Sequence, residues 1–201
     1  MKYFVGNWKM FGIPSSVKIL DKISLYFRGD KKNNKKYKII IAPPLTLLQD
    51  FSKKFKKKKI HISTQNCYQK DNFGSYTGNV SPFMIKKLGI NYIIIGHSEN
   101  RASGETDKII KEKVDIALKN NFTVILCIGE NREEKRRKKT INVLKRQIST
   151  VVKNRSFLKK IIIAYEPIWS IGSGKLPSSH ELYQNTFLLK KFVKQKFRLN
   201  F

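Results

Sequence analysis

Six short apolar segments recur along the chain, and segments with helical spacing of apolar residues separate them. The apolar segments cover residues 3–6, 37–42, 60–64, 92–96, 123–128 and 161–165. Most are apolar at consecutive positions rather than at alternate ones, which is typical of strands covered on both faces, as in a parallel sheet. The pattern therefore predicts six strands of this kind.

The segments between these strands carry helix signals. Pro14 begins the first, and Ser81 followed by Pro82 begins another, as an N-cap with proline at the first helical position. The other predicted helices cover residues 45–55, 105–119, 132–152 and 178–197. Strands that alternate with helices predict an α/β fold with parallel crossovers, either a closed barrel or an open doubly wound sheet. No domain boundary is evident, so we predict a single domain over residues 1–201, with residues 30–36 connecting the first helix to the second strand.

The charge of the chain is extreme, with 42 Lys and Arg against 14 Asp and Glu and a net charge of +28. Such a charge fits either a polyanion partner or a lysine-rich composition. The lysines are spread over most of the chain without the regular aromatic interleaving of a stacking surface, so we expect no nucleic-acid partner. Cys67 and Cys127 lack metal or disulfide spacing, and no signal peptide or membrane span is evident. These features predict a cytoplasmic protein.

Polar residues follow several of the predicted strands, where the chemistry of a (β/α)8 barrel gathers. These residues are Asn7, Lys9, His97, Ser98, Glu99, Cys127, Glu130 and Glu166. An acid at the end of a strand apolar enough to be buried, such as Glu166, suits a general base. Each of these residues also has a structural interpretation. Lys9 is then a surface lysine, His97 a structural histidine, and Glu166 an ion-paired or capping acid. His61, inside a strand, and His180, near a helix start, are interpreted as structural.

The loop after the sixth strand has a stiff start and a flexible end. Pro167 restricts the start, whereas Gly172 and Gly174 permit positive φ near the end. This arrangement is typical of a lid that closes over a bound group and excludes water, and backbone N–H groups in such a loop can bind phosphate.

Several motifs together resemble one family, triosephosphate isomerase. They are GNWKM at 6–10, APPLTLL at 42–48, QN at 65–66, YTG at 76–78, IIIGHSE at 93–99, LCIGE at 126–130 and AYEPIWSIGSGK at 164–175. They occur in the order and at the spacing of the family, across the whole chain. The resemblance implies a TIM (β/α)8 barrel that interconverts dihydroxyacetone phosphate and D-glyceraldehyde 3-phosphate, a step of glycolysis and gluconeogenesis.

The resemblance also implies a role for individual residues. Glu166 is expected to be the proton-transferring base and His97 the neutral electrophile, while Lys9 and Asn7 bind the substrate. The N–H of Gly172 is expected to reach the phosphate. The implied lid comprises Pro167, Ile168, Trp169, Ser170, Ile171, Gly172, Ser173, Gly174 and Lys175. No metal or organic cofactor is implied, because the chemistry is proton transfer alone.

The resemblance further implies a homodimer. The loop that contains Thr77 and Gly78 is expected to dock beside Lys9 of a second subunit. The chain departs from the usual family residues at Asn79 and Asn100, near the expected subunit contact, and at Ser173 in the lid.

The main departure from the family is length. Its fold has eight βα units and this sequence supplies six, so we expect an incomplete barrel without the last two units and their phosphate-binding loops. Three interpretations remain open: a fragment of a longer product, a truncated enzyme and an inactive remnant. A basic, polyanion-binding protein is a further alternative.

Overall fold

The computed structural model describes residues 2–28, 36–56 and 60–198. Within these ranges lie six parallel strands, which follow one another in the sheet in chain order. They are β1 (Lys2–Asn7), β2 (Tyr37–Ala42), β3 (Ile60–Thr64), β4 (Tyr92–Ile95), β5 (Thr123–Ile128) and β6 (Ile161–Tyr165). Each lies within one residue of its predicted bounds. The fold class is thereby confirmed, with six of the eight βα units of a TIM barrel present in the described part of the chain.

The helices largely follow the predicted segments. They are α1 (Val17–Arg28), α2 (Leu48–Phe55), α3 (Pro82–Lys87), α4 (Ser98–Ala102), α5 (Asp107–Lys119), α6 (Arg132–Arg136), α7 (Thr140–Val151), α8 (Arg155–Leu158) and α9 (Ser179–Lys196). Short 3-10 turns precede α1 and α2, at Pro14–Ser16 and Leu45–Leu47. Neither α4 nor α8 was predicted, because each is a single turn. No helix among the described residues is long and apolar enough to cross a membrane.

The single helix predicted over 132–152 is wrong, because two helices occupy that segment. The α6 helix begins with a capping box between Asn131 and Glu134 and ends after one turn. Lys138 has φ of 56°, a left-handed conformation that an α-helix cannot contain, and α7 begins at Thr140. Residues 131–140 contain no apolar residue, so the apolar pattern carries no information about this break.

The chain divides into two compact units. The first comprises Met1–Ile95 and Ile116–Val124, and the second comprises Gly96–Asp115 and Ile125–Phe201. The prediction of a single domain over residues 1–201 stays a prediction, and residues 30–35 of the predicted connection lie outside the described ranges.

The core of the first unit lies between β2, β3 and α2. Ile40 is fully buried in β2, and Phe51 and Phe55 of α2 pack beside β3. The expectation that the strands are covered on both faces fails for β1, because Tyr3, Phe4 and Val5 are exposed. β1 lies at the end of the strand order and has one neighbouring strand in the described sheet.

The core of the second unit is built from the end of β5 and the inner faces of α7 and α9. Leu126 of β5 and Leu144 and Ile148 of α7 are fully buried, and Leu189 of α9 is nearly so. Burying such apolar side chains contributes roughly 1.5–3 kcal/mol each. This packing supports the loops after β5 and β6, which carry candidate site residues.

Candidate active site

Two of the predicted site residues, His97 and Glu166, lie together in the second unit. His97 follows β4 and Glu166 follows β6, and His97 Nε2 lies 3.6 Å from Glu166 Oε2. The imidazole is 8% exposed and the carboxylate side chain 40% exposed, so an enclosed donor faces a carboxylate that solvent or a small molecule can reach.

The orientation of the His97 ring follows from its place at the start of α4. His97 is the N-cap residue, and its Nδ1 accepts a hydrogen bond from the N–H of Glu99 at 3.3 Å. The Glu99 carboxylate is slightly farther from Nδ1, at 3.6 Å. A nitrogen that accepts a backbone N–H carries no proton, so the neutral imidazole has its proton on Nε2. That proton lies on the side of Glu166.

The end of β5 positions Glu166. The N–H of Glu166 donates to the Ile128 carbonyl at 2.9 Å, and a Cβ at Gly129 would overlap the Glu166 carbonyl oxygen. Gln147 of α7 holds Gly129 from the other side: its Oε1 accepts from the Gly129 N–H at 3.0 Å, and its Nε2 donates to the Gly129 carbonyl at 3.1 Å. Gln147 was not a candidate. The sequence signal that indicates it is the position of Gln147, a polar residue on the apolar face of the helix predicted over 132–152.

Two further side chains beside Glu166 border a cavity too narrow for water. The Ser98 hydroxyl is buried and has no hydrogen-bond partner among the described residues. The sequence motif contains Ser98, yet it was not singled out as a site residue. Burial, with a smaller contribution from the Glu166 carboxylate, raises the pKa of the Cys127 thiol to about 12. Cys127 is therefore a neutral packing residue rather than a nucleophile.

Glu130 is fully buried and anchors the predicted lid. Its carboxylate accepts a hydrogen bond from Trp169 Nε1 at 2.8 Å and from the Tyr165 hydroxyl at 3.2 Å. Burial and then the Glu130 charge raise the pKa of Tyr165, so this hydroxyl stays protonated and can donate. Lys135 Nζ lies 5.2 Å from the centroid of the Trp169 ring, within the range of a cation–π contact.

The predicted lid, residues 167–175, has a 3-10 turn near its start and two glycines with positive φ. It starts at Pro167 and continues as a 3-10 turn, Ile168–Ser170, whose first N–H donates to the Glu130 carbonyl at 3.0 Å. Gly172 and Gly174 have φ of 66° and 69°, and both are exposed. The anchored start and exposed tip are the features of a segment that can move at its tip.

The first unit contains Asn7, Lys9, Thr77 and Gly78. Lys9 has φ of 52°, unusual for a residue with a side chain, and its N–H donates to Asn7 Oδ1 at 3.0 Å. Gln65 Nε2 donates to the Lys9 carbonyl and to the Ala42 carbonyl, both at 2.8 Å. These contacts hold Lys9 in its left-handed conformation.

The first unit also contains the predicted interface loop and His61, which the sequence indicates to be structural. Thr77 and Gly78 lie in an exposed turn in which Gly78 has φ of 80°. His61 lies in β3 with its ring centroid 5.2 Å from that of Tyr92. Burial, followed by the charge of Lys38, lowers the pKa of His61. Among the described residues, no group of three His, Cys, Asp or Glu side chains could hold a metal ion.

The known proteins to which this chain is similar share one family name. A family model of triosephosphate isomerase matches residues 2–200. Triosephosphate isomerase from Alkaliphilus metalliredigens is 34% identical over 96% of this chain and 77% of its own length. The Bradyrhizobium diazoefficiens enzyme of that name is 31% identical over 97% of this chain and 76% of its own. The Debaryomyces hansenii one is 40% identical over 86% of this chain and 68% of its own.

The chain belongs to the triosephosphate isomerase family. This membership agrees with the resemblance that the motifs indicate, and it does not favour the alternatives of an inactive remnant or a polyanion-binding protein. In a triosephosphate isomerase the residues at the ends of barrel strands are the ones expected to act on substrate. His97 and Glu166 occupy such positions.

Proposed function

We propose that this chain is an isomerase that interconverts dihydroxyacetone phosphate and D-glyceraldehyde 3-phosphate through an enediolate. The observation that carries the proposal is the 3.6 Å separation of His97 Nε2 and Glu166 Oε2, in a chain that matches the triosephosphate isomerase model over residues 2–200. A base and a hydrogen-bond donor at this separation can act on the C–H and C=O groups of two adjacent carbons.

Glu166 is the proposed base. It removes a proton from C1 of dihydroxyacetone phosphate, the C–H electrons form the C1–C2 double bond, and the carbonyl oxygen on C2 gains negative charge. The Nε2–H of His97 donates a hydrogen bond to that oxygen and stabilises the charge. The hydroxyl proton on the C1 oxygen then moves to the C2 oxygen. Glu166 returns its proton to C2, and the C1 oxygen forms the C=O bond of the aldehyde. Proton balance requires no other reactant.

Binding and closure are proposed for the other predicted residues. The Lys9 ammonium offers positive charge for the phosphate and the enediolate, and Asn7 holds the backbone of Lys9 through its 3.0 Å hydrogen bond. The exposed N–H of Gly172 is available for a phosphate oxygen when the lid, residues 167–175, closes. Closure excludes water, which strengthens the charge interactions and protects the enediolate.

Assembly as a homodimer is also proposed. The exposed turn at Thr77 and Gly78 lies in a unit that exposes several large apolar side chains, including Met10 at 94%, Phe11 at 76% and Phe73 at 74%. Exposed apolar surface of this kind favours a protein interface. Thr77→Arg is expected to shift the sedimenting mass toward the monomer value of 23.5 kDa, whereas Asn142→Arg on the exposed face of α7 leaves it unchanged. Equal masses for both variants would contradict the interface.

A cytoplasmic location is proposed as well, to be tested by cell fractionation.

The activity is tested with purified chain 1–201. Glu166→Asp withdraws the carboxylate by one methylene, and His97→Gln removes the imidazole; each is expected to lower kcat by roughly 100- to 10,000-fold, the usual contribution of a general acid or base. Glu133→Asp makes the same change at an exposed acid of α6 and is expected to have no effect. The proposal fails if the wild-type chain isomerises triose phosphate no faster than Glu166→Asp.

A further inference from the structure

We propose that Arg101 is the positioning residue for the His97 imidazole, an inference that rests on the proposed function. Its side chain holds the turn that carries His97 and joins that turn to the end of β5. Arg101 contacts neither the His97 ring nor Glu166 in any hydrogen bond found among the described residues. It acts through the backbone on which His97 is mounted.

One guanidinium group makes three contacts on three different segments. Arg101 Nε donates to the Gly96 carbonyl at 2.8 Å, and Nη2 donates to the Cys127 carbonyl at 3.3 Å. The remaining nitrogen, Nη1, donates to Asp107 Oδ1 at 2.7 Å at the start of α5. The Arg101 side chain is only 14% exposed, so these contacts form largely away from solvent. Hydrogen bonds of a charged group are stronger than those between neutral groups, so these contacts hold the turn in one conformation.

The turn under this guanidinium is tightly packed at position 96. Gly96 has φ of 76°, and a Cβ there would lie 3.1 Å from Arg101 Nη2 and 3.2 Å from the Cys127 carbonyl oxygen. The backbone then passes directly into His97, whose carbonyl accepts from the Arg101 N–H at 3.0 Å. Arg101 therefore holds the chain on both sides of His97.

Asp107 keeps the guanidinium in its orientation and compensates its charge. It also lies 3.7 Å from Arg146 Nε of α7, an arginine that is 60% exposed and makes no backbone contact of this kind among the described residues. A lysine at position 101 would keep the charge toward Asp107. It could not reach Gly96 and Cys127 as well, because an ammonium group lacks the planar fork of a guanidinium. The two backbone contacts, rather than the charge, are thus the proposed basis of positioning.

The expected kinetic effect is on kcat. Displacing an acid–base group by about 1 Å can cost roughly 100-fold in rate, whereas the proposed phosphate contacts lie elsewhere and set much of KM. Arg101→Lys is therefore expected to lower kcat by about 10- to 100-fold with KM changed less than about threefold. Arg146→Met, which removes the other cation beside Asp107, is expected to leave both constants unchanged.

A second readout does not depend on activity. The chain has three histidines, so the imidazole nitrogens of His97 can be assigned in 15N NMR by comparison with His97→Gln. In the wild type we expect the neutral form with its proton on Nε2. In Arg101→Lys we expect a shifted or exchange-broadened Nε2 signal, while the Arg146→Met spectrum matches the wild type. A separate thermal melt establishes that each variant is folded.

The outcomes separate the two proposals. A folded Arg101→Lys variant with an unchanged His97 signal overturns the positioning role, whatever the activity. If the wild type itself is inactive but its His97 signal shifts in Arg101→Lys, the proposed function fails and the structural role of Arg101 survives. Should Arg101→Lys be unfolded, Arg101→Gln replaces it, because a single side-chain amide is shorter than a guanidinium and cannot keep both the Gly96 and the Cys127 contacts. A wild-type His97 signal in folded Arg101→Gln then overturns the positioning role.

Discussion

Replacing Gln147 by methionine tests whether the end of β5 depends on a buried side-chain amide. Gln147 is 5% exposed, and its amide satisfies both the N–H and the carbonyl of Gly129. Methionine has nearly the same length and volume but no amide. The substitution therefore removes two hydrogen bonds without opening a large cavity, and it leaves two backbone polar groups buried.

The magnitude follows from those two groups. A buried donor or acceptor that loses its partner costs about 1–3 kcal/mol, so we expect the free energy of unfolding to fall by roughly 2–6 kcal/mol. For a chain of this size each kcal/mol lowers Tm by about 2–4 °C. Because Gly129 abuts the Glu166 carbonyl, isomerase activity is expected to fall as well.

Urea denaturation and a thermal melt measure the effect against a matched control. Gln195→Met makes the same substitution at an exposed position of α9, where surface changes stay within about 0.5 kcal/mol. If Gln147→Met is as stable as Gln195→Met, the two hydrogen bonds to Gly129 do not support this strand end, and the reasoning is refuted.

Three further predictions concern single positions. Gly129→Ala is expected to lower kcat and to destabilise the chain by about 1–3 kcal/mol, because the new methyl overlaps the Glu166 carbonyl; wild-type activity and Tm in this variant would contradict the geometry. Ser81→Ala removes the hydroxyl that accepts the Met84 N–H at 3.3 Å and is expected to cost about 1 kcal/mol in urea unfolding, so a loss under about 0.3 kcal/mol would count against this cap. Burial holds the pKa of His61 in the folded chain below its ordinary value of 6.5. As pH falls, the unfolded chain therefore binds a proton at His61 before the folded chain does. His61 contributes stability above pH 6.5, and this stability is lost as pH falls through the folded pKa. Unfolding of His61→Gln should accordingly depend less on pH than wild type between about pH 7 and about pH 5, and equal pH profiles would contradict this.

The sequence by itself determined the strands, most helices and the motif positions. Continuous apolar runs such as 123–128 are local signals, and any parallel sheet must cover them on both faces. The glycines of the lid are likewise local, since positive φ at Gly172 is a property of that residue alone. His97 and Glu166 were predicted as site residues because both follow such runs and lie in motifs that resemble the family.

Only the tertiary structure decided which side chains support these residues. Gln147 reaches Gly129 across 18 positions, Arg101 reaches Cys127 across 26, and Trp169 reaches Glu130 across 39. The exposure of β1 also depends on neighbours distant in the chain. The periodicity of apolar residues indicates which face of a helix or strand is buried. The partner of a buried hydrogen-bonding group depends on which elements pack together, and a local sequence pattern does not contain that information.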